Sequence, residues 1–442
     1  MKPSVLILGG GLSGIAAATI LAREGYSVQL VERHRYLGGR ASGFRDGENW
    51  IDNCQHVVLG CCSAFLDLFE KLKIKRLIAF HSSIPFLANG KTTVLAPSKL
   101  PSPFHFLPRF LTAPLFSPQE KWSILSLFAR LSFARNNPEV LDKINMMDWL
   151  KKMKQPFSVI ERFWKIILIS SLNETLENMS AKYGVMVLEK AFLQSPDSAA
   201  VGLPSVPLIS LYEEAEKTLL GDLGVKKIKG TVKQIVLSED KPAVILDDET
   251  KLTADDLISA LPFYNLFPVL PLNLQEDRLF SNFKKLETTP ILGIHFWFDQ
   301  KITEERFGAF PGSPVHWFFA NSFDQRFYYV QLVISAAYEF LKANNSDIIE
   351  MGIQELHKYL PDSKKAKLVK SVLVRETRAT FSIKPDTDPL RPSQKTKIPH
   401  FFLAGDWTDT GWPATMEGAV QSGYRCAEFI LEQKGFQKKI LK

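Results

Sequence analysis

Ser4-Val5-Leu6-Ile7-Leu8-Gly9-Gly10-Gly11-Leu12-Ser13-Gly14 is the stretch that decides the fold. The apolar run from Val5 to Leu8 reads as a buried strand that halts at three glycines. A helical pattern follows from Leu12 to about Glu24, with Gly25 where a helix carboxyl end favours glycine. Ser27 to Val31 reads as a second strand. Strand, glycine turn, helix and strand in this order open a parallel, doubly wound sheet. Gly9, Gly11 and Gly14 have the G-x-G-x-x-G spacing of a dinucleotide turn. One glycine permits the tight turn, one lets the backbone approach a pyrophosphate, and one lets helix and strand pack closely. The helix amino end then offers N–H groups and a positive dipole end to the phosphates. Glu32 closes the second strand, where an acidic side chain bonds the ribose hydroxyls. These features specify an adenine dinucleotide without separating NAD from FAD.

Farther out, the chain has 442 residues, enough for a substantial core and more than one domain. The formal charge of +7 suits an anionic cofactor or an anionic membrane surface. No compact basic run with interleaved aromatics points to nucleic acid. Cys54, Cys61, Cys62 and Cys426 form neither a C-x-x-C pair nor zinc spacing, so no metal site and a reducing, cytoplasmic setting are expected. No segment approaches the ~20 apolar residues of a membrane span.

Residues from about 65 to 225 read as mostly helical. Ser117-Pro118-Gln119-Glu120 has the layout of a capping box, opening a helix whose apolar positions include Trp122, Leu125, Phe128 and Leu131. The stretch between Pro97 and Pro118 is too rich in proline for a regular helix and holds Phe104, Phe106, Phe110 and Phe116. Strand character returns at Val232–Val236, Val244–Leu246 and Leu257–Ala260, then at Ile291–Phe298 and Arg326–Ile334. Phe401–Ala404 reads as a strand, with a helix beginning near Pro413.

Arg33-x-x-x-Leu37-Gly38-Gly39-Arg40-Ala41 resembles the glycine-doublet motif of the flavin amine oxidase and phytoene desaturase superfamily. Ala404-Gly405-Asp406 with Gly411 to Val420 resembles that superfamily's carboxyl-terminal flavin segment. Asp52-Asn53-Cys54-Gln55-His56 resembles the D-N-G-Q-H segment of the hydroxysqualene dehydroxylases, also called squalene-associated desaturases. Ser171-Leu172-Asn173, His316-Trp317-Phe318-Phe319, Arg378-Ala379-Thr380-Phe381 and Arg391-Pro392 resemble further segments of that family. The resemblance spans nearly the whole chain and departs at Cys54, where the family has glycine.

The resemblance implies an α/β chain with a discontinuous Rossmann-like FAD-binding domain (1–75, 226–265 and 396–442). An inserted α+β substrate-binding domain (76–225 and 266–395) completes it. It implies FAD contacts from Gly9, Gly11, Gly14, Glu32, Arg33, Gly38, Gly39, Arg40, Val232, Gly405, Asp406, Met416 and Ala419. Arg40 is expected to face phosphate charge, and the helix after Pro413 to meet the pyrimidine edge of the flavin. The implied reaction replaces the hydroxyl of hydroxysqualene by hydrogen, with reduced FAD as hydride source and an allylic cation on the way. Such a site needs a proton donor, for which His56 and then Asp52 are the candidates. Gln55, Asn173, Trp317, Phe318 and Trp412 are expected to line the substrate pocket. Carotenoid-type desaturation and non-catalytic escort of an isoprenoid are the competing readings. A lipophilic substrate makes peripheral membrane contact reasonable, through the Phe-rich 104–116 stretch or the tail from Phe436 to Lys442. Nothing in the sequence fixes the oligomeric state.

Overall fold

The computed structural model describes the chain apart from residues 1, 48, 89, 135–136, 239, 322–325, 436–438 and 441–442. Most of the tail proposed for membrane contact therefore lies outside the described residues. Among the rest, no helix is long and apolar enough to cross a membrane.

The opening stretch folds as its pattern dictates. Strand Ser4–Leu8 runs into helix Leu12–Arg23 and then strand Ser27–Glu32. These strands are the centre of a five-stranded parallel sheet. Lys226–Lys229 pairs outside Ser27–Glu32, while Asp256–Ser259 and Phe401–Leu403 follow on the other side of Ser4–Leu8. One wall thus gathers strands from the beginning, middle and end of the chain. The carboxyl-terminal helix Met416–Gln433 packs on Leu12–Arg23 so closely that a Cβ on Gly423 would lie 2.2 Å from the Ser13 carbonyl oxygen.

A second, seven-stranded sheet carries the long strands Thr288–Phe298, Tyr328–Ser335 and Leu368–Phe381, with Trp317–Asn321 beside them. Ile84–Ala88 and Lys91–Leu95 form its other edge, so the region expected to be helical contributes strands here. Alternation divides this sheet's residues. Leu292, Ile294, Phe296, Phe318 and Leu332 pack in one core cluster with Ile348 and Leu356 of the helix Asn345–Tyr359.

The capping box at 117–120 is present: Ser117 N–H donates to Glu120 Oε2 at 2.9 Å, and Glu120 N–H donates to Ser117 Oγ at 3.3 Å. Trp122 departs from expectation, since it is exposed rather than part of that helix's packed face. The Phe-rich stretch also contains one short helix, Leu107–Thr112 with Pro108 in its first turn, where proline needs no N–H partner. The domain boundary at 225 falls too late. Leu208, Leu211, Tyr212, Ala215 and Leu219 pack in the same core as Ile7 and Ile15, so the helix Leu208–Lys217 belongs with the parallel sheet.

Candidate functional site

A single cavity of about 1000 Å³ extends from the glycine turn to the seven-stranded sheet. Gly9, Gly11, Glu32, Arg33, Gly38, Gly39, Arg40, Val232, Gly405, Asp406, Met416 and Ala419 all line it.

Each glycine here has a distinct steric reason. A Cβ on Gly14 would sit 2.0 Å from the Gly9 carbonyl oxygen, so Gly14 serves helix–strand packing and does not face the cavity. A Cβ on Gly11 would meet nothing nearer than Gly39 Cα at 3.9 Å, which leaves its backbone open to a ligand. Gly38 and Gly39 have φ of 111° and 61°, values that favour glycine. Gly38 N–H donates to the Gly10 carbonyl at 2.9 Å, folding the second glycine motif onto the first. The helix Leu12–Arg23 has Gly11 at its N-cap and no side chain capping it. Its amino end is therefore available to an anion.

The Glu32 carboxylate is fixed by two backbone donors, Gly10 N–H at 2.7 Å and His34 N–H at 2.8 Å. Each oxygen keeps a lone pair for a ribose hydroxyl. At the other end, the Thr415 hydroxyl accepts from Gly418 N–H at 3.2 Å, and the helix starts at Met416, not at Pro413. These glycines, the held carboxylate and two helix amino ends fit FAD.

Arg40 does not stand free to face phosphate. Its guanidinium is ion-paired with Asp406 and also donates to the Ala379 carbonyl at 2.9 Å. The loop bearing Asp406 is itself held by a buried arginine. Arg391 donates to the carbonyls of Asp406 at 3.1 Å, Thr408 at 2.6 Å and Trp412 at 2.8 Å. The Arg391-Pro392 pair was legible as a resemblance; this function was not.

Asp52 is corrected as a catalytic candidate. It is absent from the cavity wall, and its Oδ1 accepts from Leu208 N–H at 2.9 Å at the amino end of Leu208–Lys217. Burial raises its carboxyl to about 7, and the Leu208 bond opposes that shift. His56 does line the cavity, but its chemistry differs from the expected acid. Its Nδ1 lies 2.9 Å from the Cys54 carbonyl, which can only accept, so Nδ1 carries the proton. Burial, with a smaller contribution from the Arg40 charge, lowers its pKa although the Cys54 bond opposes this. The imidazole is neutral with Nε2 a bare acceptor, which suits receiving a proton better than giving one. Cys54 is buried, and burial pushes its thiol up to about 12, so it is a passive neighbour and not a nucleophile.

Of the expected pocket residues, Gln55, Asn173, Trp317 and Trp412 line the cavity. Asn173 mainly clamps elements together: it ends the helix Lys165–Leu172 in the left-handed region, donates to Thr380 Oγ1 at 2.9 Å and accepts from Ala336 N–H at 2.8 Å. Phe318 is corrected. It points to the opposite sheet face and stacks on Phe310, while its neighbour Phe319 shares the cavity face with Trp317. The apolar end is completed by Ile84, Phe86, Leu95, Ile167, Phe192, Phe307 and Val333, from elements far apart in sequence. Trp317 is fixed there by its indole N–H, which donates to Ser170 Oγ at 2.7 Å. Lys190, on the helix Ala181–Phe192, also reaches the cavity, with its ammonium 5.9 Å from the centre of the Trp412 ring. No sequence signal marked it, because one lysine in an amphipathic helix reads as solvated.

A parallel sheet with a glycine turn and a held acidic residue, sharing one cavity with Gly38, Gly39, Asp406 and the amino end of Met416–Gln433, fits a flavin-dependent oxidoreductase. The chain belongs to the flavin containing amine oxidoreductase family, which matches residues 12–431, and its cofactor is FAD. It is similar to the 15-cis-phytoene desaturase of an Oncidium hybrid cultivar, 28% identical over 98% of this chain and 78% of that one. The 15-cis-phytoene desaturase of Synechococcus elongatus is 25% identical over 97% and 96%. Among solved structures, a putrescine oxidase redesigned in cofactor binding shares the fold with a TM-score of 0.76, at 16% identity over 98% and 99% of the two chains. The cyclohexylamine oxidase of Brevibacterium oxydans does so at 0.73, with 15% identity over 99% and 100%.

Proposed function

We propose that the protein replaces the hydroxyl of hydroxysqualene with hydrogen, giving squalene. The observation that carries this reading is the continuity of one cavity from the dinucleotide turn into an aromatic, largely apolar chamber. The similarity to isoprenoid desaturases supports a long hydrocarbon substrate, and the D-N-x-Q-H segment at 52–56 and the His316-Trp317 segment favour dehydroxylation over desaturation.

When bound, reduced FAD supplies the hydride that ends on the carbon from which oxygen leaves. The chain's part is to protonate the departing hydroxyl, shelter the allylic cation and keep water away. In this reading the Lys190 ammonium takes the donor role first expected of His56. Phe86, Phe307, Trp317 and Phe319 offer ring faces to the cation. The amino end of Met416–Gln433 favours negative charge on the reduced cofactor.

Two incubations compare the readings directly. Chemically reduced holoprotein given hydroxysqualene is expected to yield squalene in the extracted lipid. Untouched hydroxysqualene, with oxidised holoprotein converting phytoene to a more unsaturated polyene, would overturn the proposal in favour of desaturation.

A further inference from the structure

We infer that the face built from residues 97–160 is a docking surface for an anionic lipid bilayer, placed over the wall of the apolar chamber; the inference rests on an isoprenoid substrate. Trp122 and Phe157 are 74% and 72% exposed, and Phe104 and Leu111 are 55% and 49% exposed. Three of these four belong to one junction. Lys121 Nζ donates to the Leu111 carbonyl at 2.6 Å, which brings the helix Leu107–Thr112 to the start of Pro118–Ala134. Gln155 Nε2 donates to the Ser123 carbonyl at 2.8 Å, and Ser158 bonds Glu120. The segments carrying Leu111, Trp122 and Phe157 are thereby tied together. Phe104 lies one turn before the first helix, where its carbonyl accepts from Leu107 N–H at 3.0 Å.

Charge identifies the occupant. Residues 97–160 hold nine Lys and Arg against four Asp and Glu, a net charge of +5 in a chain whose formal net charge is +7. Two of the acidic four are already engaged: Glu120 pairs with Arg162 at 2.6 Å, and Asp148 lies 3.9 Å from Lys151. Lys152 and Lys154 are exposed and lie within five positions of Phe157 along the chain. Separate aromatic anchors among lysines suit the headgroup region, where a ring inserts and ammonium groups meet phosphates. A protein partner would instead favour one closed apolar patch.

The face also lies where a lipid-dissolved substrate would need it. Phe106 and Phe128 pack on Phe192, at 5.8 and 6.3 Å between ring centres, and Phe192 lines the cavity. Phe116 packs on Phe163 at 5.1 Å, and Phe163 lies 5.9 Å from the cavity residue Phe86. Only one or two rings separate this surface from the chamber.

Flotation of the FAD-loaded protein with vesicles tests this without any substrate, so its result is independent of the reaction proposed. Binding is expected to phosphatidylcholine vesicles containing phosphatidylglycerol, and to be at least tenfold weaker without the anionic lipid. The Trp122→Ser, Phe157→Ser double variant should lose binding at least tenfold while retaining flavin and turnover of detergent-dispersed substrate. Lys152→Glu with Lys154→Glu, a change of charge alone, should do the same. Absence of binding by the wild type, or unchanged binding by both double variants, would overturn the inference. So would sedimentation showing a dimer that Trp122→Ser dissociates, since the face would then cover a second copy.

Discussion

Gly11 and Gly14 share a motif and do different physical work, which makes them separable by substitution. A Cβ at Gly11 meets no atom closer than 3.9 Å, so Gly11→Trp directs its ring into the room left for a pyrophosphate. The variant is expected to purify folded but colourless; yellow protein would contradict the placement of the cofactor. Gly14→Ala instead drives a methyl into the Gly9 carbonyl and should destabilise the fold itself. The G-x-G-x-x-G spacing gave all three glycines from sequence, because backbone geometry leaves few alternatives. Side-chain roles were less legible. That Asp52 caps a helix 156 positions away, and that His56 already spends its proton on Cys54, depend on tertiary neighbours. A donor role for Lys190 predicts that Lys190→Met keeps FAD but slows single turnover by ~10²-fold or more. His56→Ala, which removes the Nε2 acceptor and the Nδ1–H bond to the Cys54 carbonyl but no proton donor facing the cavity, should cost less than Lys190→Met. The reverse order would return the donor role to His56.

At the scale of elements, two buried groups join segments that sequence alone leaves apart. Arg391 gathers three carbonyls of the 406–412 loop and also bonds Asp388 at 3.1 Å. Arg391→Met leaves those acceptors unpaired and is expected to cost about 3–5 kcal/mol in chemical unfolding, with loss of flavin. A change below about 1 kcal/mol would contradict the arrangement. Asp52 gives a signed pH effect. Its carboxyl titrates near 7 when folded, above its ordinary value, so the native state holds that proton more tightly. Stability from this group is full below the unfolded pKa and declines as pH rises through about 7. Asp52→Asn keeps an acceptor for Leu208 N–H and should shrink the fall in melting temperature between pH 5 and pH 8. An unchanged fall would assign that pH dependence elsewhere. Elements with a strong local signal were legible: the first strand, the capping box and the strand at 232–236. The strand Leu368–Phe381 was not, because its polar and charged residues, from Lys370 to Arg378, lack the alternation of a half-buried strand. Phe318 was misplaced for a related reason. Three consecutive aromatics hide which parity faces the cavity until Val333 and Leu332 pair opposite Trp317 and Phe318.

Across the whole molecule, the decisive feature is that one cavity brings the beginning, middle and end of the chain together. The cofactor end was readable because its motifs are local. The chamber was not, since Phe86, Phe192, Phe307 and Val333 come from separate elements and acquire a common role only by folding. That architecture makes the account directly testable. Holoprotein reduced chemically under anaerobic conditions is mixed with hydroxysqualene while flavin absorbance is followed and the lipid is extracted. The account predicts reoxidation of the flavin with squalene formed in equal amount. Flavin that stays reduced with hydroxysqualene bound and unchanged would contradict it.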